Sequence, residues 1–199
     1  MVWSTIILVL NVVAFAAIHS LTASLPFKRI VIRVFGPRVE ALYYPVYSII
    51  TVLTLLPLGY LLKKNPGRIL YRVPSPWSWL MVVGQLIASL AAPKAWLDGS
   101  HRFKIGSQLA GPKAPEAAPL NIRGIYRWVR DPFLLSGLIT ILLTPVMTVN
   151  RLIVYVLTTI YLFLGSLHWE SRLVAQFGDE YREYQKRVHR IIPRFGRLR

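Results

Sequence analysis

The chain has 199 residues, 54% of them hydrophobic and 16% charged, with 24 Lys and Arg against 8 Asp and Glu for a formal charge of +16. Its mean hydropathy of +0.47 excludes intrinsic disorder. The lack of any cysteine excludes a disulfide-stapled scaffold, thiol catalysis and thiolate metal sites.

A basic excess on so apolar a chain points to a lipid bilayer as partner and not to nucleic acid, and the length allows a single domain over residues 1–199. Stretches free of charge predict an all-α integral membrane bundle of five spans, each near the length a helix needs to cross about 30 Å of hydrocarbon. The first covers about 2–27. No Lys or Arg precedes it and its apolar run is too long for a signal-peptide core, so it reads as a retained helix. Spans at 41–62 and 73–93 follow. Residues 106–119, with Gly106, Gly111, Pro112, Pro115 and Pro119, read as an irregular loop.

The last two spans, 132–150 and 152–169, meet at Asn150 and Arg151 and read as a tight helical hairpin. Pro45, Pro57 and Pro145 fall within spans and read as bends. Beyond Glu170 the last helix continues as a cytoplasmic tail. Leu173 and Phe177 share a face, and Gly178 ends that helix in a left-handed conformation. Asp179 then opens a second short helix with Tyr181 and Tyr184 on one side, closing before Pro193. Its charge alone would lay this tail on anionic headgroups. With the N-terminus outside, nineteen of the 24 Lys and Arg fall on the cytoplasmic side and five on the other. The positive-inside bias therefore predicts an external N-terminus and a cytoplasmic C-terminus.

Two motifs in the C-terminal half carry chemistry. Gly124-Ile125-Tyr126-Arg127-Trp128-Val129-Arg130-Asp131-Pro132-Phe133, closing at Gly137, resembles the G-x-Y-x-x-x-R-H-P-x-Y signature of integral membrane methyltransferases. That family includes isoprenylcysteine carboxyl methyltransferases and related phospholipid and thiol methyltransferases. Glu170-x-x-Leu173-x-x-x-Phe177-Gly178-x-x-Tyr181-x-x-Tyr184, then Val188-x-Arg190-x-x-Pro193, is similar to the family's closing pattern. The resemblance covers residues 106–194. Further upstream, His19-Ser20-Leu21, Ala23-Ser24 and Lys28 look more like the small-thiol methyltransferase and NnrU-type branches.

The resemblance implies S-adenosylmethionine as cofactor, lined by Gln108, Ala118, Pro119, Leu120, Asn121, Tyr126, Asp131, Pro132, Phe133, Leu134 and Glu170. Such a cofactor asks for an aromatic surface under its adenine, a cation or helix N-terminus for its carboxylate, and an anion for its ammonium. Tyr126, Trp128 and Phe133 supply aromatics, the helix opened by Asp131-Pro132 supplies an N-terminus, and Glu170 supplies an anion.

Two positions depart from the family: Asp131 stands for the His of R-H-P, and Trp169 for the first Glu of a Glu pair. Asp131 reads either as a plain helix cap or as the charge that meets the ammonium. The implied activity is methyl transfer to a lipophilic or small thiol, carboxylate or amine acceptor at the cytoplasmic face. The residues leave prenylcysteine, phospholipid amine and small thiol open as acceptors, and they identify no catalytic residue and no metal site. His19 and His168, at the ends of the first and fifth spans, keep a haem-binding or isomerase-type reading open. A catalytically silent membrane scaffold is the other alternative.

Overall fold

The computed structural model describes residues 2–99, 120 and 122–193. Six helices account for most of them: α1 (Val2–Ala23), α2 (Leu25–Phe35), α3 (Glu40–Lys64), α4 (Trp77–Gly99), α5 (Pro132–Leu142) and α6 (Val149–Arg187). Two short strands, β1 (Ile69–Arg72) and β2 (Val146–Thr148), pair antiparallel. Four helices are long and apolar enough to cross a membrane: α1, Pro45–Lys64 within α3, α4 and α6. They are apolar around most of their circumference, with Leu10, Val13, Leu53, Leu56, Leu86 and Leu90 exposed. In water such faces would form apolar patches far larger than soluble monomers carry; a bilayer covers them. The chain is an all-α, multi-pass membrane protein.

Three elements differ from the sequence expectation. The stretch 132–150 is not one span. α5 stops at Leu142, after 11 residues, about 16 Å of helix and roughly half the hydrocarbon thickness. Pro145 carries no amide hydrogen to continue the ladder, and the β-branched Val146 and Thr148 extend into β2. The hairpin expected at Asn150 and Arg151 is therefore a strand leading into α6. The stretch 1–27 likewise holds a break. Ser24 ends α1 and caps α2, its hydroxyl accepting from the Phe27 amide at 3.3 Å. The proline expectation also divides: Pro45 and Pro57 lie inside α3, whereas Pro145 follows a helix end.

The chain forms two compact units. The first comprises Met1–Arg72 and Val146–Thr158. Its core joins Leu8 and Val12 of α1, Leu58, Leu61 and Leu62 of α3, and Val154 and Leu157 of α6. Asn150 is its polar staple. Its side chain accepts from the Thr5 hydroxyl at 2.8 Å and donates to the Asn65 carbonyl at 2.7 Å, satisfying the end of α3. The ladder pairs Ile69 with Thr148 and Arg72 with Val146, with a register shift between Ile69 and Tyr71.

The second unit comprises Val73–Pro145 and Thr159–Arg199. Here α4 packs on α5 through two side-chain bonds to helix carbonyls. Gln85 donates to Thr140 at 2.8 Å and Ser136 to Ala88 at 2.5 Å. α6 is broken at Gly178, with φ +57° and ψ −128°. The chain turns there, and the tail folds back with Tyr181, Tyr184 and Val188 buried against Leu120 and Leu173.

Candidate functional site

The first motif is built on the end of α4. A 3-10 turn, Gly124–Arg127, opens with its Ile125 amide donating to the Asp98 carboxylate at 3.0 Å. Gly124 sits at φ +53°, and a Cβ there would lie 1.9 Å from Asp98 Oδ2. Only glycine meets both demands. Asp98 also pairs with Lys94 one turn earlier. The turn directs Tyr126 and Val129 inward, 2% and 1% exposed.

The tail closes onto this turn. The Tyr184 hydroxyl donates to the Tyr126 carbonyl at 2.6 Å. The Arg130 and Asp131 amides then donate to the His189 and Arg190 carbonyls, each at 2.9 Å. These backbone bonds bring the arginines of both motifs to one carboxylate. Arg130 pairs with Glu170 through Oε1, and Arg190 with the same group through Oε2. All three side chains are largely buried. Two guanidiniums against one carboxylate leave a formal charge of +1. Among the described residues, Nε of Arg130 and Nε of Arg190 are buried without a hydrogen-bond partner. A buried donor without a partner carries a desolvation cost that an anionic ligand would relieve.

Asp131, Pro132, Phe133 and Leu134 open α5. Asp131 Oδ1 accepts from the Leu134 amide at 2.8 Å, so it is the N-cap. Pro132 and Leu134 are buried, and Phe133 is 41% exposed. Leu120 lies in the tail's core, its amide donating to Glu180 at 3.1 Å. The structure thus places Tyr126, Asp131, Pro132 and Glu170 around one tail-and-turn junction. Tyr126 offers its ring to the protein interior, which leaves Trp128 and Phe133 as the exposed aromatics. Gln108, Ala118, Pro119 and Asn121 lie outside the described residues. Trp169 packs against the tail's core with the Arg172 guanidinium 5.5 Å from its ring. A shallow apolar cavity of about 320 Å³ adjoins the turn, lined by Ile125, Trp128, Val129, Leu135 and Pro193.

Four residues that build this junction were not singled out from the sequence: Arg130, Arg190, Asp98 and Glu180. A signal existed for the arginines, since each is part of one of the two motifs. Asp98 and Glu180 had none, because each acts on a backbone amide far along the chain. The histidines are also placed. His19 of α1 sits in the first unit with Nε2 2.9 Å from the Tyr47 hydroxyl and Nδ1 3.2 Å from that of Thr51. Phe15 stacks on its ring at 5.3 Å. His168 is exposed on α6.

Fold and site together define a helical membrane protein that seals a cationic cluster beneath a folded-back tail, beside the start of a short capped helix. The chain belongs to the NnrU protein family, whose sequence profile matches residues 7–141. A methanethiol S-methyltransferase of Pseudomonas deceptionensis is 28% identical over 193 residues, 95% of this chain and 72% of that protein. Another, of Mycobacterium tuberculosis, is 26% identical over 187 residues, 90% of this chain and 74% of its own length. Methanethiol S-methyltransferase 1 of Bradyrhizobium diazoefficiens is 40% identical over 80 residues, 39% of this chain; that match spans only 28% of the relative. No solved structure matches the chain.

Proposed function

We propose that the protein is a membrane methyltransferase that uses S-adenosylmethionine to methylate a small thiol. The observation that carries this reading is the alignment of 95% of the chain with a protein named methanethiol S-methyltransferase. The residues present fit the cofactor's charged end. Arg130 and Arg190, each with a buried Nε lacking a partner among the described residues, suit a carboxylate. The amide-rich start of α5 adds favourable dipole there. Asp131 has a second carboxylate oxygen beyond the one that caps α5, and that oxygen suits the ammonium. Glu170 acts one step back, holding both arginines in place. Trp128 and Phe133 are the aromatic side chains open to an adenine.

When bound, S-adenosylmethionine would supply an electrophilic methyl carbon: the thiol would give its proton to water and its sulfur would take the methyl as the methyl–sulfonium bond breaks, leaving a thioether and S-adenosylhomocysteine. The protein's contribution is alignment and exclusion of water. The tail, fixed by Tyr184 and by the two backbone bonds at 130–131, keeps the arginines out of bulk solvent. We also propose the orientation that the charge count favours, with the N-terminus outside and the cofactor reached from the cytoplasm.

Calorimetric titration of the purified, detergent-solubilised protein with S-adenosylmethionine tests the cofactor, and gas chromatography of dimethyl sulfide from methanethiol tests the acceptor. Saturable binding with product formation is expected. A folded protein that takes up no heat from the cofactor overturns the reading.

A further inference from the structure

α2 lies between two apolar helices, α1 and α3, and is too short to span. Eleven residues give about 16 Å. Of the four cations in residues 28–40, Lys28 is committed to the fold. It is 2% exposed, pairs with Glu40 at 3.2 Å, and lies 5.7 Å from the centre of the Tyr43 ring. The other three point away from the protein. Arg29 and Arg33 are exposed one turn apart on a single row of α2, and Arg38 is exposed in the turn that follows. None of the three forms an ion pair with a carboxylate among the described residues.

A second row, about 100° around the helix from the arginines, is apolar and equally open. Ile30 is 56% exposed and Val34 68%, and Phe35, farther round at the open end of the helix, is 69% exposed. Here the uncompensated arginine row and the open aliphatic row lie side by side on a short helix joined to two membrane-crossing helices. A helix in the plane of a membrane uses both: its apolar side enters the acyl boundary while its cations meet phosphate. Nucleic acid or an acidic peptide would match the arginines but leave Ile30, Val34 and Phe35 in water. The basic tail is a weaker candidate for the same role, because Arg182 pairs with Asp179, Lys186 with Glu183, and Arg190 with Glu170.

We propose that α2 lies in the membrane interface and binds anionic phospholipid, with the headgroup phosphates on Arg29, Arg33 and Arg38 and the acyl chains against Ile30, Val34 and Phe35. The site enriches anionic lipid beside the first unit and fixes the depth at which α1 and α3 leave the bilayer. It does not depend on the methyltransferase reading.

The chain has no cysteine, so Val34→Cys accepts a single bimane label in the full-length protein. Reconstituted into nanodiscs of phosphatidylcholine and phosphatidylglycerol, the label is quenched by whichever lipid carries bromine on its acyl chains. At equal mole fraction, quenching should report phosphatidylglycerol beside the label at about fivefold or more over phosphatidylcholine, as expected for even one arginine near a phosphate. A label at Leu56→Cys, on the exposed face of α3, should see the two lipids equally. Replacing Arg29, Arg33 and Arg38 together by Gln should abolish the preference at Val34. If that variant does not fold, raising salt until the Debye length falls to about 3 Å should abolish it in the parent. Equal quenching by both lipids in the parent, quenching by neither, or a preference that survives loss of the arginines and high salt overturns the proposal.

Discussion

The Tyr184 hydroxyl reaches across 58 residues to the carbonyl of Tyr126, at 2.6 Å and fully buried. This bond is one of several between the two sequence motifs, with Tyr126 in the first and Tyr184 in the second. Removing it leaves a buried carbonyl without its donor, at a cost of about 1–3 kcal/mol. Tyr184→Phe keeps the ring against Tyr181 and Val188 and removes only the donor. The expected outcome is a lower melting temperature with unchanged helical content, measured by circular dichroism in detergent. An unchanged melt would mean that the backbone bonds at 130–131, the Glu170 ion pairs and packing hold the tail without it.

Gly124 and Asp98 test how tightly the turn is seated. Gly124→Ala meets two obstacles, the φ of +53° and the 1.9 Å approach to Asp98 Oδ2. Asp98→Ala removes the acceptor for the Ile125 amide but also clears the space. The double variant should therefore be less destabilised than the sum of the singles, since the steric part vanishes and the backbone strain of about 1–2 kcal/mol stays. A thermal-melt double-mutant cycle measures the difference. Strict additivity would show that Asp98 moves away at no cost.

The difference between what could be read from the sequence and what could not follows from range. α1, α3 and α4 were visible as charge-free runs, because a bilayer imposes one-dimensional apolarity. The break at Gly178 and the shared face of Tyr181 and Tyr184 were also visible, since helix period and glycine conformation act within a few residues. α5 and β2 were not. Residues 132–150 carry no charge, but Pro145 and the pairing of Val146 with Arg72 end the helix, and that partner lies far back in the chain. In the site, Glu170 was found but its partners were not. Its charge suggested a ligand contact, whereas the fold gives it Arg130 and Arg190.

Glu170 therefore makes a stability prediction that a pure ligand contact would not. Glu170→Gln leaves two largely buried guanidiniums facing each other without a counter-charge, a change worth about 3 kcal/mol. The melting temperature should fall without any cofactor present. If the melt is unaffected and only cofactor affinity drops, Glu170 meets the ligand directly and does not organise the arginines.

The proposed topology counts residues 132–148, α5 and the segment through β2, as one crossing in addition to the four long helices, and on that count nineteen of 24 cations lie on the cytoplasmic side. A reporter active only in the cytoplasm, fused after Arg199, should be active, and the same reporter before Met1 should be silent. The reverse pattern would place the folded tail and its arginines outside the cytoplasm.

Asp131 separates the capping role from the charged one. Its Oδ1 accepts the Leu134 amide at 2.8 Å, so the cap exists. Asn caps about as well as Asp, and Ala costs about 1 kcal/mol. Asp131→Asn should leave the melting temperature of the cofactor-free protein near the parent value, and Asp131→Ala should lower it. Cofactor affinity then reads the second oxygen. With Glu170 engaged by two arginines, Asp131 is the described carboxylate at this junction with an oxygen beyond its capping bond to offer an ammonium. Losing a charge-assisted bond of about 1.5–3 kcal/mol should weaken S-adenosylmethionine by about tenfold or more in Asp131→Asn. Asp131→His should not restore binding, because His brings no negative charge beside Arg130 and Arg190. Calorimetric titration of the three variants decides it. Full affinity in Asp131→Asn would reduce Asp131 to a helix cap and leave the ammonium to be met by backbone carbonyls.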